Sequence, residues 1–375
     1  MNRILCSICD SSLTHLYELN NYPIKFSTSD IPLCDTSILS FSQCSTCNTI
    51  QLDKLIPLNI LYSDNHNYIS VGKTWTEYFN TICNKLHPIV DGKIILEIGD
   101  PSGKIANKLS NYSKWYILEP NKNKNVVFNE NIEFIEDFFG ESSYELMKDK
   151  SIDVIVHSHL FEHIYQPIEF LKNCRCILND NGVMCFGIPN MEHIAEKNIC
   201  PFIGLGFEHT IFLNEDNVKY MLEITGFTII DIVYYEKHSV IYHCIKSNAQ
   251  PNICKICDYK QNFVDTIEKY KEFTSYCNSI IDENPDKRVY VFGASYYTQA
   301  LFYLGLNNKN VHGILDNCLE KQGKYFYGFN IKIYDPSIIK TESCIIILKN
   351  GYYTNEIILQ LESNQYLSKD SILIK

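Results

Sequence analysis

The sequence predicts a multidomain α/β protein: a central doubly wound, mostly parallel sheet, a small metal-stapled module before it and a second, smaller α/β domain after it. Three observations predict this. Between about residue 75 and residue 245, short apolar runs alternate with amphipathic stretches, the pattern of βαβ units. Two C-x-x-C pairs stand near the N-terminus. The alternation breaks near Pro251 and resumes at Arg288. A chain of 375 residues also exceeds what one ordinary core accommodates.

Residues 1–70 carry the cysteine pairs, Pro23, Pro32 and Pro57, and no sustained helical period, as expected of a small zinc-binding module. In residues 71–250 the strand candidates are Ile94–Ile98, Trp115–Leu118, Ile132–Phe134, Ile152–Val156 and Val183–Ile188. Helix candidates between them include Lys104–Leu109 and Pro167–Leu178. Residues 251–375 open on a polar helix candidate, Asn262–Ile280. A second alternating block follows, starting at Arg288–Phe292, with further strand candidates at Val311–Leu315 and Cys344–Leu348.

Composition narrows the function classes. Apolar residues make up 45% of the chain and charged residues 21%, the balance of a globular protein. The formal net charge is −11, and no basic run offers phosphates a partner, so nucleic acid is not the expected substrate. No stretch approaches the about 18 apolar residues needed to cross a bilayer. The first residues, Met1-Asn2-Arg3-Ile4-Leu5-Cys6, do not build a signal-peptide core. Sixteen cysteines are then expected to be reduced thiols and metal ligands of a cytoplasmic protein.

Cys6-Ser-Ile-Cys9 and Cys44-Ser-Thr-Cys47 are two knuckles. Two residues between thiols let both point at one ion, and four thiolates complete a closed tetrahedral zinc site with no open position for water. Cys34 lies between the pairs as a competing ligand. Cys254-Lys-Ile-Cys257 is a lone pair without a partner pair, read as unmetallated thiols.

Ile94-Ile95-Leu96-Glu97-Ile98-Gly99-Asp100-Pro101-Ser102-Gly103-Lys104 reads as a strand, a glycine turn and a helix start. Gly99 and Gly103 let the backbone approach a ligand. Such a turn also suits a dinucleotide. The acidic Glu97 before the first glycine favours S-adenosylmethionine, whose charged amino-acid part wants an anionic neighbour. Glu119 ends the second strand candidate, where a carboxylate can take both ribose hydroxyls. Asp137 follows the third, beside Phe138 and Phe139, with an oxygen for an adenine amine and a ring to pack on the base. After the fourth comes His157-Ser-His159-Leu-Phe-Glu162-His163-Ile164. Its spacing is not H-E-x-x-H, only His159 and His163 share a helical face, and no further ligand is obvious, so no metal is expected there.

Taken together, these segments resemble the nucleotide-sugar C-methyltransferase family. The residues that carry the likeness are Cys6, Cys9, Cys44 and Cys47; Leu96-Glu97-Ile98-Gly99; Glu119-Pro120; His159-Leu-Phe-Glu162-His163-Ile164; and Asn181-Gly182 through Pro189-Asn190. Phe292-Gly293-Ala294, Leu315-Asp316-Asn317, Lys321-Gln322-Gly323-Lys324 and Gly328 extend it to the C-terminal block. The resemblance implies a class I methyltransferase Rossmann-like sheet between a zinc module and a C-terminal Rossmann-like domain. It also implies S-adenosylmethionine in contact with Glu97, Gly99, Gly103, Glu119, Asp137, Phe138 and His159, structural zinc, and a nucleotide-sugar substrate.

Asn67-Tyr68-Ile69-Ser70 resembles the family's tyrosine turn, and Phe207-Glu208-His209 its Glu-His pair, with Phe207 where the family usually has another histidine. A ketone acidifies the neighbouring C–H, so a base near neutral pKa can remove that proton. His209 is the expected base, Glu208 its orienting or substrate-contacting partner, and Tyr68 a donor to the developing enolate oxygen. The Gly293-Ala294-Ser295 turn is expected to present amides to the sugar-nucleotide diphosphate. The alternatives are a sugar or small-metabolite O-methyltransferase, for which Phe207 speaks, and a non-catalytic relative that keeps the fold.

Overall fold

The structure is a computed structural model and describes residues 2–25, 28–32, 35–62, 73–123, 125–197, 199–248 and 257–375. Tyr68 and its turn, Cys34 and Cys254 lie outside the described residues.

The N-terminal module is built of strands β1 (Leu13–Pro23), β2 (Thr28–Ser29), β3 (Thr36–Cys44) and β4 (Ile50–Leu52). β1, β3 and β4 form an antiparallel sheet with Leu13 opposite Cys44 and Phe41 opposite Leu52. This register brings the second cysteine knuckle, at the β3–β4 turn, beside the first. The sheet is too small to bury a core of its own. Its apolar face, with Leu39, Phe41 and Leu52, joins one continuous core with Phe202, Phe212, Phe263 and Ile267 from the rest of the chain.

The central sheet contains β5 (Ile94–Ile98), β6 (Lys114–Leu118), β7 (Ile132–Ile135), β8 (Ile152–Ser158), β9 (Leu178–Pro189), β10 (Phe227–Tyr235) and β11 (Ser239–Lys246). Their order is β10-β11-β9-β8-β5-β6-β7, with β11 antiparallel to both of its neighbours. This is the class I methyltransferase arrangement. Central strands read as continuous apolar runs because helices cover both faces: all of β5 beyond Ile94 is buried, whereas β10 at the edge is mostly half-exposed.

The apolar runs located these strands well, whereas the expected helix Lys104–Leu109 is a single 3-10 turn, Ala106–Lys108. Gly103 and Asn111 take left-handed φ values of +60° and +66°, and the Asn107 side chain bonds back to Ser102 O at 3.1 Å. Short polar side chains that capture nearby backbone groups compete with helix formation.

Helix Lys260–Glu283 leads into the C-terminal domain. Its strands are β12 (Arg288–Phe292), β13 (Val311–Leu315), β14 (Tyr325–Phe326), β15 (Ile333–Tyr334), β16 (Cys344–Ile347) and β17 (Ile372–Ile374). A parallel sheet runs in the order β15-β13-β12-β16-β17, and the short β14 pairs instead with β2 of the N-terminal module.

Candidate active site

The central sheet reverses its winding direction between β5 and β8, and in doubly wound sheets the crevice at such a switch point binds ligands. Here a cavity of about 650 Å³ opens at the carboxyl ends of β5 to β8. Its wall includes Gly99, Glu119, Asp137, Phe138, His159, Leu160 and His163. That volume suits a nucleoside-sized ligand.

Gly99 has φ +85°, and a Cβ there would stand 3.0 Å from the Leu160 side chain, so glycine is what lets the β5 turn close against Leu160. Asp100 cinches that turn by accepting from Ser102 N at 2.8 Å and Lys104 N at 2.5 Å. Glu119 is only 8% exposed and accepts from Asn121 N at 2.9 Å. Asp137 accepts from Phe138 N at 2.8 Å and Ser142 Oγ at 2.7 Å, which fixes the loop that presents the Phe138 ring.

Two of the residues expected to contact the cofactor are not part of the cavity's wall. Glu97 is buried beneath the cavity rather than in its wall; the Trp115 indole donates to its Oε2 at 2.9 Å. Burial, with Asp100 nearby, holds its carboxyl well above the usual carboxylate range. Gly103, also absent from the wall, packs under Phe128, which a Cβ would meet at 2.6 Å.

His159 follows β8 with φ +49°, an uncommon conformation for a residue with a side chain and one that collects at functional sites. Its amide donates to Gly187 O, and its Nε2 lies 2.9 Å from Ser239 Oγ. Burial lowers its pKa to about 3, so the ring is neutral.

The segment Phe207-Glu208-His209 is held from the N-terminal module. β4 pairs with it through Leu52 N to Thr210 O and Phe212 N to Ile50 O, both at 2.9 Å. The Arg3 guanidinium ties Leu52 O, Tyr165 O and Thr210 O together at 3.0, 2.9 and 3.3 Å. His209 and Glu208 line a narrow cleft with Tyr22 and Lys25 of the module and Tyr296 and Gln299 of the C-terminal domain. Tyr296 hydrogen-bonds Glu208, and burial lifts its hydroxyl well above the usual phenol range. Phe207 is buried, its ring 6.4 Å from that of Tyr22, so it packs the cleft wall instead of offering a polar group.

His163 connects the two spaces. It lines the large cavity, and its ring stands perpendicular to that of His209 with centroids 4.5 Å apart. Tyr62 OH lies 2.7 Å from His163 Nδ1. Sequence reasoning missed Tyr62 and Tyr296. Tyr62 precedes the tyrosine turn and Tyr296 follows the Gly293 turn, but neither has a spacing signal. It also missed that His209 joins Glu162 and His163, because they are distant in sequence.

The cysteine knuckles converge. Cys6 and Cys47 Sγ are 3.6 Å apart, and Cys9 and Cys44 Sγ 3.5 Å. Ligands of a tetrahedral zinc with bonds near 2.3 Å stand ~3.8 Å apart. Amides of Ile8, Thr46 and Cys47 and the Gln51 side chain donate to the sulfurs at 3.2 to 3.4 Å. This donor set fits a tetrahedral thiolate-bound ion.

In the C-terminal domain, Asp316 Oδ2 occupies the amide of Ala294 at 2.8 Å, and Lys321 Nζ caps Ala294 O at 2.9 Å. The amide expected to meet a diphosphate is thus already engaged by the domain's own carboxylate.

Residues 74–232 match the family described as methyltransferase domain, and residues 235–371 the family described as C-methyltransferase C-terminal domain. A probable S-adenosylmethionine-dependent methyltransferase of Mycolicibacterium smegmatis is 29% identical over 85 residues, which cover 23% of this chain and 32% of the relative. The match thus spans about a third of that relative's length. Among solved structures, 1,6-didemethyltoxoflavin-N1-methyltransferase of Burkholderia thailandensis aligns at 10% identity and TM-score 0.40, covering 54% of this chain and 98% of its own. A SAM-dependent methyltransferase from Aquifex aeolicus aligns at 14% identity and TM-score 0.35, covering 51% and 98%.

Proposed function

We propose that this chain, whose residues 74–232 and 235–371 match a methyltransferase domain and a C-methyltransferase C-terminal domain, is an S-adenosylmethionine-dependent enzyme that methylates the carbon beside the ketone of a nucleotide-linked keto-sugar. The observation that supports this reading is the arrangement about His163: a nucleoside-sized cavity on one side, and on the other the His209–Glu208 cleft, walled by all three parts of the chain.

In the cavity, Glu119 would accept from the ribose hydroxyls of the cofactor, and Asp137 and Phe138 would hold its adenine. Bound there, S-adenosylmethionine supplies an electrophilic sulfonium methyl. His209 takes the proton from the substrate carbon and keeps it on its ring. Glu208, held by Tyr296, orients that imidazole or the sugar. Tyr68 donates to the enolate oxygen. S-adenosylmethionine held in the cavity would give up its methyl to the enolate carbon, with the thioether as leaving group, and the protein's contribution is alignment. Zinc held by Cys6, Cys9, Cys44 and Cys47 would fix β4, and through it the His209 segment.

The test is incubation with S-adenosylmethionine and a panel of nucleotide-linked keto-sugars in deuterated water, read by mass spectrometry. One added methyl group on carbon and cofactor-independent deuterium uptake beside the ketone are expected, both falling roughly 100-fold or more in His209→Gln. Methylation without exchange would assign an O-methyltransferase instead. A folded protein that does not bind S-adenosylmethionine in calorimetry would refute methyl transfer altogether.

A further inference from the structure

Glu162, His163 and His209 bring a carboxylate oxygen and two ring nitrogens within 4.8 Å of one another. Glu162 is fully buried, and among the described residues neither of its oxygens accepts a hydrogen bond. His159 Nδ1 lies 3.4 Å from Oε1, but in a geometry that makes no hydrogen bond. Buried carboxylates are found paired with cations or coordinating metals.

The two imidazoles complete a recognisable donor set. Tyr62 OH engages Nδ1 of His163 and so orients the ring, as outer partners of metal-bound histidines do. Ligand atoms about 2.1 Å from one ion stand roughly 3 to 4 Å apart, so small side-chain rotations close the present spacing.

We propose that Glu162, His163 and His209 form a three-ligand site for a divalent transition-metal ion, separate from the four-cysteine cluster. Two imidazoles and one carboxylate suit zinc, cobalt or nickel. Three protein ligands leave a coordination position open, and His163 lines the large cavity. A bound ion also takes a nitrogen of His209 out of proton transfer. Resting on the base role proposed above, metal loading is therefore inhibitory.

The test uses the full chain with its four-cysteine site loaded with zinc, titrated with cobalt chloride and followed by visible absorption and elemental analysis. The expected result is one further equivalent per chain. Its d–d bands should lack thiolate-to-cobalt charge transfer, which separates it from exchange into the cysteine cluster. Glu162→Gln and His163→Gln should each weaken binding tenfold or more while retaining the zinc equivalent and the circular-dichroism spectrum of the parent. No further equivalent, or one bound equally well by both variants, overturns the site. Full cobalt loading with undiminished methyl transfer would leave the ion in place and refute the base role of His209.

Discussion

His157 lies on β8 with its ring stacked on Phe186, centroids 4.8 Å apart and planes at 17°, and edge-on to Phe170 at 5.4 Å. It is fully buried, and among the described residues neither ring nitrogen has a hydrogen-bond partner. Burial alone pulls its pKa down to about 3. An unfolded histidine titrates near pH ~6.5. Between those values the unfolded chain binds a proton that the folded chain refuses. Stability is therefore fully present above the unfolded pKa and declines as the pH falls toward the folded one. Linkage gives a loss of about 2 kcal/mol between about pH 7 and about pH 5. His157→Phe removes this dependence; any overpacking by the larger ring, about 1–3 kcal/mol, is the same at every pH. Urea unfolding of both proteins at the two pH values isolates the effect. His159 and His238, also held low by burial, at about 3 and about 4, titrate in both proteins and cancel. The wild type should lose about 2 kcal/mol more than the variant. Equal losses would refute the claim that His157 is buried neutral.

Two further predictions concern the site's supports. Glu119→Ala should weaken S-adenosylmethionine binding roughly 10- to 100-fold in calorimetry, the effect of losing hydrogen bonds to a charged acceptor; unchanged affinity would remove it from the ribose site. Arg3→Ala frees three carbonyls that its guanidinium now satisfies and should cost about 2–4 kcal/mol in denaturant unfolding. It should also lower methyl transfer, since Thr210 adjoins His209, while the metal content of the four-cysteine cluster stays the same. Wild-type activity in that variant would argue against the N-terminal module as the clamp on the His209 segment.

Much of the framework was legible in the chain. Ile94–Ile98, Ile152–Val156 and Val183–Ile188 stood out because strands buried on both faces need uninterrupted apolar runs. The helix after Gly103 was misjudged because Asn107 and Asn111 spend their short side chains and left-handed conformations on ending it. Glu97 illustrates a different gap. Its position before Gly99 gives no sign that the Trp115 indole, eighteen residues on, lies within hydrogen-bond distance and holds it under the cavity.

By itself the sequence determined the cysteine knuckles and the strand ends that carry Gly99, Glu119 and Asp137. Each is written in local spacing and periodicity, which need no knowledge of distant residues. Only the tertiary structure decided that His209 faces His163 and Glu162, that Tyr296 of the last domain bonds Glu208, and that Asp316 fills the amide at Ala294. Those contacts join residues tens of positions apart. They exist because one apolar core fuses the N-terminal sheet, the segment around Phe202 and the C-terminal helices, and so closes the cleft between them.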